Sequence, residues 1–273
     1  MRPGRLTRVA VGVATLVAVL AAFGPILWMA LTSFKAEAEA FALPPKILFD
    51  PTLRGWRAAL VESPFLARLG TTVVVTFFST LAAFLLGIPA AYSLAFAPGK
   101  RADLVLLWCI STRMLPPVGV IIPLYVLFRG LGLIDNPVGL VLIFTAMNLP
   151  LVIWMLRSFF LDLPLEAVEA ARLEGATLLQ ELRHVVLPMA LPGLAATALL
   201  CLIFAWNEFF FAYNLTVSRA ATLSVYLASF KTSEGLFWAR MSAAATAAVL
   251  PIVVAGWVAQ RQLVRGLTMG AVR

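Results

Sequence analysis

Residues 161–190 read LDLPLEAVEAARLEGATLLQELRHVVLPMA, an unusually polar stretch set between two long apolar runs. From Pro164 to Pro188 the pattern predicts two short helices joined at Gly175. The first, Leu165 to Leu173, follows a proline and carries Glu166 and Glu169 early, where a helix N-terminus favours acids. Gly175 supplies the backbone freedom that a tight bend needs. The second, Thr177 to Val186, sets Leu178, Leu179, Leu182 and Val185–Val186 on one broad apolar side. His184 stands near its end, where a cation is favoured, and Pro188 is expected to stop it. The small side chains of Ala167, Ala170 and Ala171 let a partner approach closely. On the residues alone two readings stand: a hairpin that docks on a partner, and an amphipathic hairpin lying on a bilayer.

Outward from this segment the chain is mostly apolar. It has 273 residues, 62% of them hydrophobic and 12% charged. A soluble domain is nearer half apolar and a quarter charged, so the bilayer must serve as solvent here. Six apolar runs are expected to cross it: Val9–Leu31, Leu69–Ala97, Leu104–Phe128, Pro137–Phe160, Leu191–Tyr213 and Ala243–Val258. The first is about 23 residues, roughly 35 Å as a helix, longer than the core of a secretory signal. Gly87, Pro89, Pro116, Pro117 and Pro150 fall inside runs, where membrane helices tolerate them. Helices are required because an open sheet edge cannot face lipid. The predicted fold class is therefore all-α, a polytopic membrane protein of six transmembrane helices with a helical hairpin outside the bilayer. It reads as one domain over 1–273: an N-terminal helix and outer segment at 1–68, a core with its loop at 69–265, and a tail at 266–273.

The net charge is +8. The positive residues are scattered between apolar runs, which points to loop topology and away from nucleic acid. With the N-terminus inside, eleven Lys or Arg lie on inner segments and nine on outer ones. The short Pro98–Gly99–Lys100–Arg101 turn and the basic ends favour both termini in the cytoplasm. Cys109 and Cys201 both sit in apolar runs as packing residues, and His184 has no companions for a metal site. No phosphate-binding glycine loop and no nucleophile–base set is present, so no enzyme chemistry is expected of this chain. Gly130-x-Gly132 reads as an outer turn.

A charge within a span costs about 2.5–3.5 kcal/mol at mid-helix, so Arg113, beside Pro116–Pro117, and Glu208, late in the fifth run, stand out. With Asn148, Trp206 and Asn207 they are candidates to line a polar pathway for a small solute. The alternative is structural, with Arg113 and Glu208 pairing with each other or with a partner subunit and Trp206 to Tyr213 forming an interfacial aromatic belt. In the outer segment 214–242, Lys231, Glu234 and Arg240 are candidate rim contacts for a docking protein.

Glu169–Ala170–Ala171, Gly175 four residues later, and Val185–Val186–Leu187–Pro188 resemble the coupling-loop pattern of permease subunits of ABC importers, with Val185 in place of the usual isoleucine. The resemblance extends over nearly the whole chain to the second permease of maltose-type, carbohydrate-uptake importers. FGPILWMALTSFK (23–35), AWNEF (205–209) and QRQLVRGLTMGAV (260–272) support it. It implies that Glu169 makes polar contact with an ATPase subunit, that Ala170 and Ala171 pack closely against it, that Gly175 forms the bend, and that Leu187–Pro188 close the motif. The implied assembly is a homologous second permease, two ATPase subunits that bind ATP and Mg, and an extracytoplasmic solute-binding protein, in a bacterial inner membrane. RMLPPVGVIIPLY (113–125) and FTAMNLPLVIWMLRSFF (144–160) resemble mannitol/sorbitol-type permeases. A polyol is thus the first expected solute, a mono- or oligosaccharide the second and glycerol phosphate the third. The rival reading, an ion-coupled transporter working alone, would show paired intramembrane acids and inverted repeats. Only one such acid and no clear repeat are seen.

Overall fold

The computed structural model describes residues 5–232 and 235–270, and among them the chain is helical apart from one two-residue ladder. The helices are α1 (Arg5–Thr32), α2 (Glu37–Ala40), α3 (Arg54–Leu60), α4 (Phe65–Phe96), α5 (Ala102–Thr112), α6 (Pro117–Gly130), α7 (Pro137–Leu161) and α8 (Leu165–Leu173). After these come α9 (Leu178–Glu181), a π-helical turn at Leu182–Val186, α10 (Leu187–Met189), α11 (Leu191–Trp206), α12 (Phe210–Leu215), α13 (Leu223–Ala228) and α14 (Trp238–Gly270). The ladder pairs β1 (Lys231–Thr232) with β2 (Gly235–Leu236). Four helices, α1, α4, α7 and α14, are long and apolar enough to cross a membrane, and two bent pairs bring the number to six if each is one span. The expected all-α, multi-span class is observed.

Two of the six runs differ from expectation. Leu104–Phe128 is broken: α5 and α6 meet at 87° across Arg113–Pro116. Pro89 and Pro150 sit inside continuous helices, because a lone proline removes one hydrogen bond. Pro116–Pro117 removes two adjacent donors and drives the residues before them out of the helical region, so the run turns. Leu191–Tyr213 is also interrupted, α11 ending at Trp206 and α12 beginning at Phe210. In addition α11 meets the hairpin's second arm at 80°, across Ala190.

The chain forms two compact units. One comprises the residues through Leu66 together with Tyr226–Leu250. Within it the most apolar stretch of α1 has no buried residue. The Glu37 carboxylate accepts from the backbone N–H of Ala239 (2.9 Å) and Arg240 (3.0 Å), capping α14. Lys35 is buried with its ammonium 4.1 Å from the Trp28 ring centroid, and Tyr226 donates to Ala59 O at 3.1 Å.

The other unit comprises Ala67–Val225 and the chain from Pro251 onward. At one end, Asp135 adopts φ 52° and its carboxylate accepts from the N–H groups of Val217, Ser218, Arg219 and Ala220 at 2.9–3.2 Å. Burial opposes ionisation there, but these four backbone donors outweigh it and hold the carboxyl down at about 2. Arg68 donates to Ser218 O, and Thr72 Oγ1 accepts from Leu223 N (2.8 Å), so the same loop is tied to α4. Asp135→Ala is expected to cost about 2 kcal/mol and to raise amide hydrogen exchange across 216–222 while leaving α7 protected. Because the folded-state value is depressed, this stability is complete above the unfolded value near 3.8 and is lost as pH falls through about 2.

Candidate functional site

The hairpin forms as the sequence predicts at its bend. Gly175 has φ +81°, its N–H donates to Arg172 O (3.1 Å), and Ala176 N–H donates to Ala171 O (3.0 Å). This pair of bonds is the helix stop that a left-handed glycine makes possible. Thr177 caps the second arm, accepting from Gln180 N–H while the Gln180 side chain accepts from Thr177 N–H at 2.8 Å.

The second arm differs from expectation in extent and in facing. It runs through a π-helical turn, in which Leu187 N–H donates to Leu182 O, and continues to Met189 with Pro188 inside it. Pro188 has no N–H and its ring crowds the carbonyl four residues back, so the turn before it widens and the helix continues past it. Leu178 and Leu179, expected on the apolar side with Val186, are 69% and 72% exposed, while Val186 is fully buried. Leu173, beside the bend, is 90% exposed. The buried side is instead organised around Glu181, only 1% exposed.

Glu181 was not singled out by sequence, since one acid among polar neighbours gives no signal until its partners are known. Arg172 grips it with two parallel bonds, Nε to Oε2 at 2.9 Å and Nη2 to Oε1 at 3.1 Å. Tyr92 of α4 donates to Oε1 at 2.5 Å. Burial works to raise the Glu181 carboxyl, but the bonds from Arg172 and then Tyr92 outweigh it and hold it below the ordinary range. Val168 and Val186 pack with Tyr92, Val152, Leu156 and Phe160 in one core, to which Leu187 adds its side chain. The outer face of the hairpin is therefore Glu169 and Ala170, both exposed, with Ala171 half-buried, Pro188 exposed, and the leucines at the bend.

The five pathway candidates do not converge on one cavity. Arg113 ends α5 at the elbow, its guanidinium carbon 5.0 Å from the Phe204 ring centroid. It lines a cavity of about 250 Å³ with Thr112, Pro117, Met147 and Phe211. Asn148 is buried and donates to Cys201 O at 3.3 Å, joining α7 to α11. Asn207 donates to Ile203 O (2.8 Å), and Trp206 is half-buried at the end of α11. Glu208 accepts from Phe211 N (3.0 Å) and Ala212 N (3.1 Å), capping α12 across the break. No ion pair joins Arg113 to Glu208 among the described residues. The Lys231 side chain and Glu234, named as rim contacts, lie outside the described residues, as do the last residues of the tail. Arg240 stacks on Phe237 at 5.1 Å.

Residues 83–268 match the family described as "Binding-protein-dependent transport system inner membrane component". The "Trehalose transport system permease protein SugB" of Mycobacterium tuberculosis is 35% identical over 257 residues, covering 91% of this chain and 92% of the relative. The "Trehalose/maltose transport system permease protein MalG" of Thermococcus litoralis is 31% identical, covering 95% and 94%. A chain of a bacterial ABC transporter involved in the import of the acidic polysaccharide alginate superposes with a TM-score of 0.76 at 25% identity, covering 96% of this chain and 98% of that one. The matched segment contains the broken third run, the hairpin and α11, and the two relatives are similar over more than nine-tenths of the chain. The chain accordingly belongs to the family of binding-protein-dependent transport system inner membrane components.

Proposed function

We propose that this chain is a permease subunit of an ABC importer for a saccharide or polyol, and that its hairpin docks on an ATPase subunit. The observation that carries this reading is the hairpin itself. A rigid glycine-stopped helix pair presents Glu169, Ala170 and the exposed Leu173, Leu178 and Leu179 outward while its inner side is bolted to α4. Apolar side chains of that size exposed on a polar element mark a protein contact. Ala170 and Ala171 admit close approach, and Glu169 offers a carboxylate to the partner. ATP and Mg bind on two partner ATPases, and a homologous permease completes the pathway. A solute-binding protein docks at the end of the unit that holds Asp135. Both termini and the hairpin then lie in the cytoplasm.

The two relatives, named for trehalose and for trehalose and maltose, support a saccharide solute. The polyol reading rests on the resemblance of 113–125 and 144–160 alone. The Arg113 cavity, walled by apolar side chains with one hydroxyl and one guanidinium, suits the two faces of a sugar ring.

The test is to purify the chain with its native partners and measure ATP turnover with a panel of loaded binding proteins, including disaccharides, mannitol and sorbitol. Turnover that rises severalfold with one loaded protein supports the importer and names the solute class. Solute uptake by the chain alone, without an ATPase, would overturn it.

A further inference from the structure

We propose that Glu181 is a positioning residue for transport, whose buried carboxylate locks the two hairpin arms to α4 so that motion of the hairpin is delivered to the spans. This rests on the importer reading above and names the joint through which it works. Apolar packing already holds the hairpin down, since Val168 and Val186 are fully buried in the core shared with α4 and α7. An ion pair whose carboxylate is buried and whose guanidinium is partly exposed adds little net stability, because desolvating the carboxylate offsets the attraction. What it adds is geometry. Packed methyl groups slide past one another, whereas a two-bond guanidinium–carboxylate fork fixes distance and angle together.

The placement fits that task. Arg172 lies on the first arm, Glu181 on the second and Tyr92 on α4, so one carboxylate ties three elements. The π-helical turn serves the same end. Glu181 and Val186 are five residues apart, which in an α-helix sets them about 140° from each other. The widened turn between them brings both to the buried side.

Beyond the joint, polar contacts continue toward the elbow. Arg157 of α7 donates to Leu94 O near the end of α4 (3.2 Å), and its Nη2 lies 3.5 Å from the Asp103 carboxylate in the first turn of α5. The far end of α5 is Arg113 and its cavity. A push on the hairpin therefore meets α4, α7 and α5 as linked bodies, the condition for a rigid-body switch.

The experiment uses the whole importer in vesicles, with uptake and ATP hydrolysis measured in the same preparation. Glu181→Gln keeps the shape but removes the charge. It is expected to assemble with the ATPases and hydrolyse ATP within about twofold of the unsubstituted importer, while solute moved per ATP falls about fivefold. The double exchange Arg172→Glu with Glu181→Arg should restore part of that ratio. An unchanged ratio in Glu181→Gln overturns the proposal, as does a fall of uptake and hydrolysis in equal proportion. Should Glu181→Gln fail to assemble, Tyr92→Phe, which leaves the ion pair intact, decides: a lowered ratio supports the joint and an unchanged one rejects it. If the unsubstituted chain shows no ATP-dependent uptake, the importer reading itself falls and the proposal falls with it.

Discussion

Gly175→Val is expected to leave a permease that accumulates and inserts normally yet transports at a tenth of the normal rate or less. At Gly175 an added Cβ meets no atom within 4 Å, so there is open space at the point of attachment. Its main effect comes from φ +81°, a region where a β-branched residue is strained by roughly 1–3 kcal/mol. That strain weighs against the bend, and each 1.4 kcal/mol moves the bent population tenfold. Opening the bend separates Arg172 from Glu181 and turns Leu173 away from Leu178, so the docking face is lost while the spans are untouched. The control is Gly175→Asn. Asparagine enters the left-handed region more readily, so it should retain most uptake. Paired uptake and membrane-abundance measurements separate the two variants. If Val and Asn are equally active, the bend is not what sets the coupling geometry.

Gly193→Leu should act the other way, depleting the folded protein itself. Gly193 lies on α11 against Phe159 of α7, and a Cβ there would sit 2.3 Å from Cγ of that ring and 2.6–2.7 Å from its two δ carbons. These atoms are close to the Phe159 backbone, so the ring escapes only by changing its first side-chain torsion. Even alanine is expected to cost about 1–3 kcal/mol by overpacking, and leucine more. The expected result is a collapse of the monodisperse peak of detergent-solubilised protein. Phe159→Ala should largely rescue Gly193→Ala, because the two costs share one contact and are not additive. Failure of that rescue would place the damage elsewhere in α11.

These two glycines differ in how far sequence reveals them. Gly175 is legible: it falls between two short helical patterns, and only a residue without Cβ suits the stop that joins them. Gly193 is one of several small residues in an apolar run, and nothing local shows that Phe159 covers it. The same division runs through the candidate site. Glu169, Ala170, Ala171 and Gly175 are readable because the hairpin is a local structure, built from bonds between residues a few positions apart. Glu181 is not, because its meaning lies in Tyr92, 89 positions away. Glu208 is conspicuous as a charge in an apolar run, yet its partners are backbone N–H groups exposed by a break in the helix. Charge alone suggests a cationic partner, Arg113 or one on another subunit; the break supplies backbone donors nearer at hand.

The order of the residues alone dictates that the chain is helical and lies in a bilayer. Lipid offers no hydrogen bonds, so apolar runs of about twenty residues have one solution, and a polar island between them must lie outside. It also dictates where the hairpin turns. Which face of the second arm is buried, and how the hairpin is fastened, depend on packing against α4 and α7. The loop gathered by Asp135 shows the reason: its backbone N–H groups, which no local helix pairs, are met by a carboxylate more than eighty positions away. Which distant side chain or N–H group is available to do so is set by packing, where residues far apart in the chain first meet.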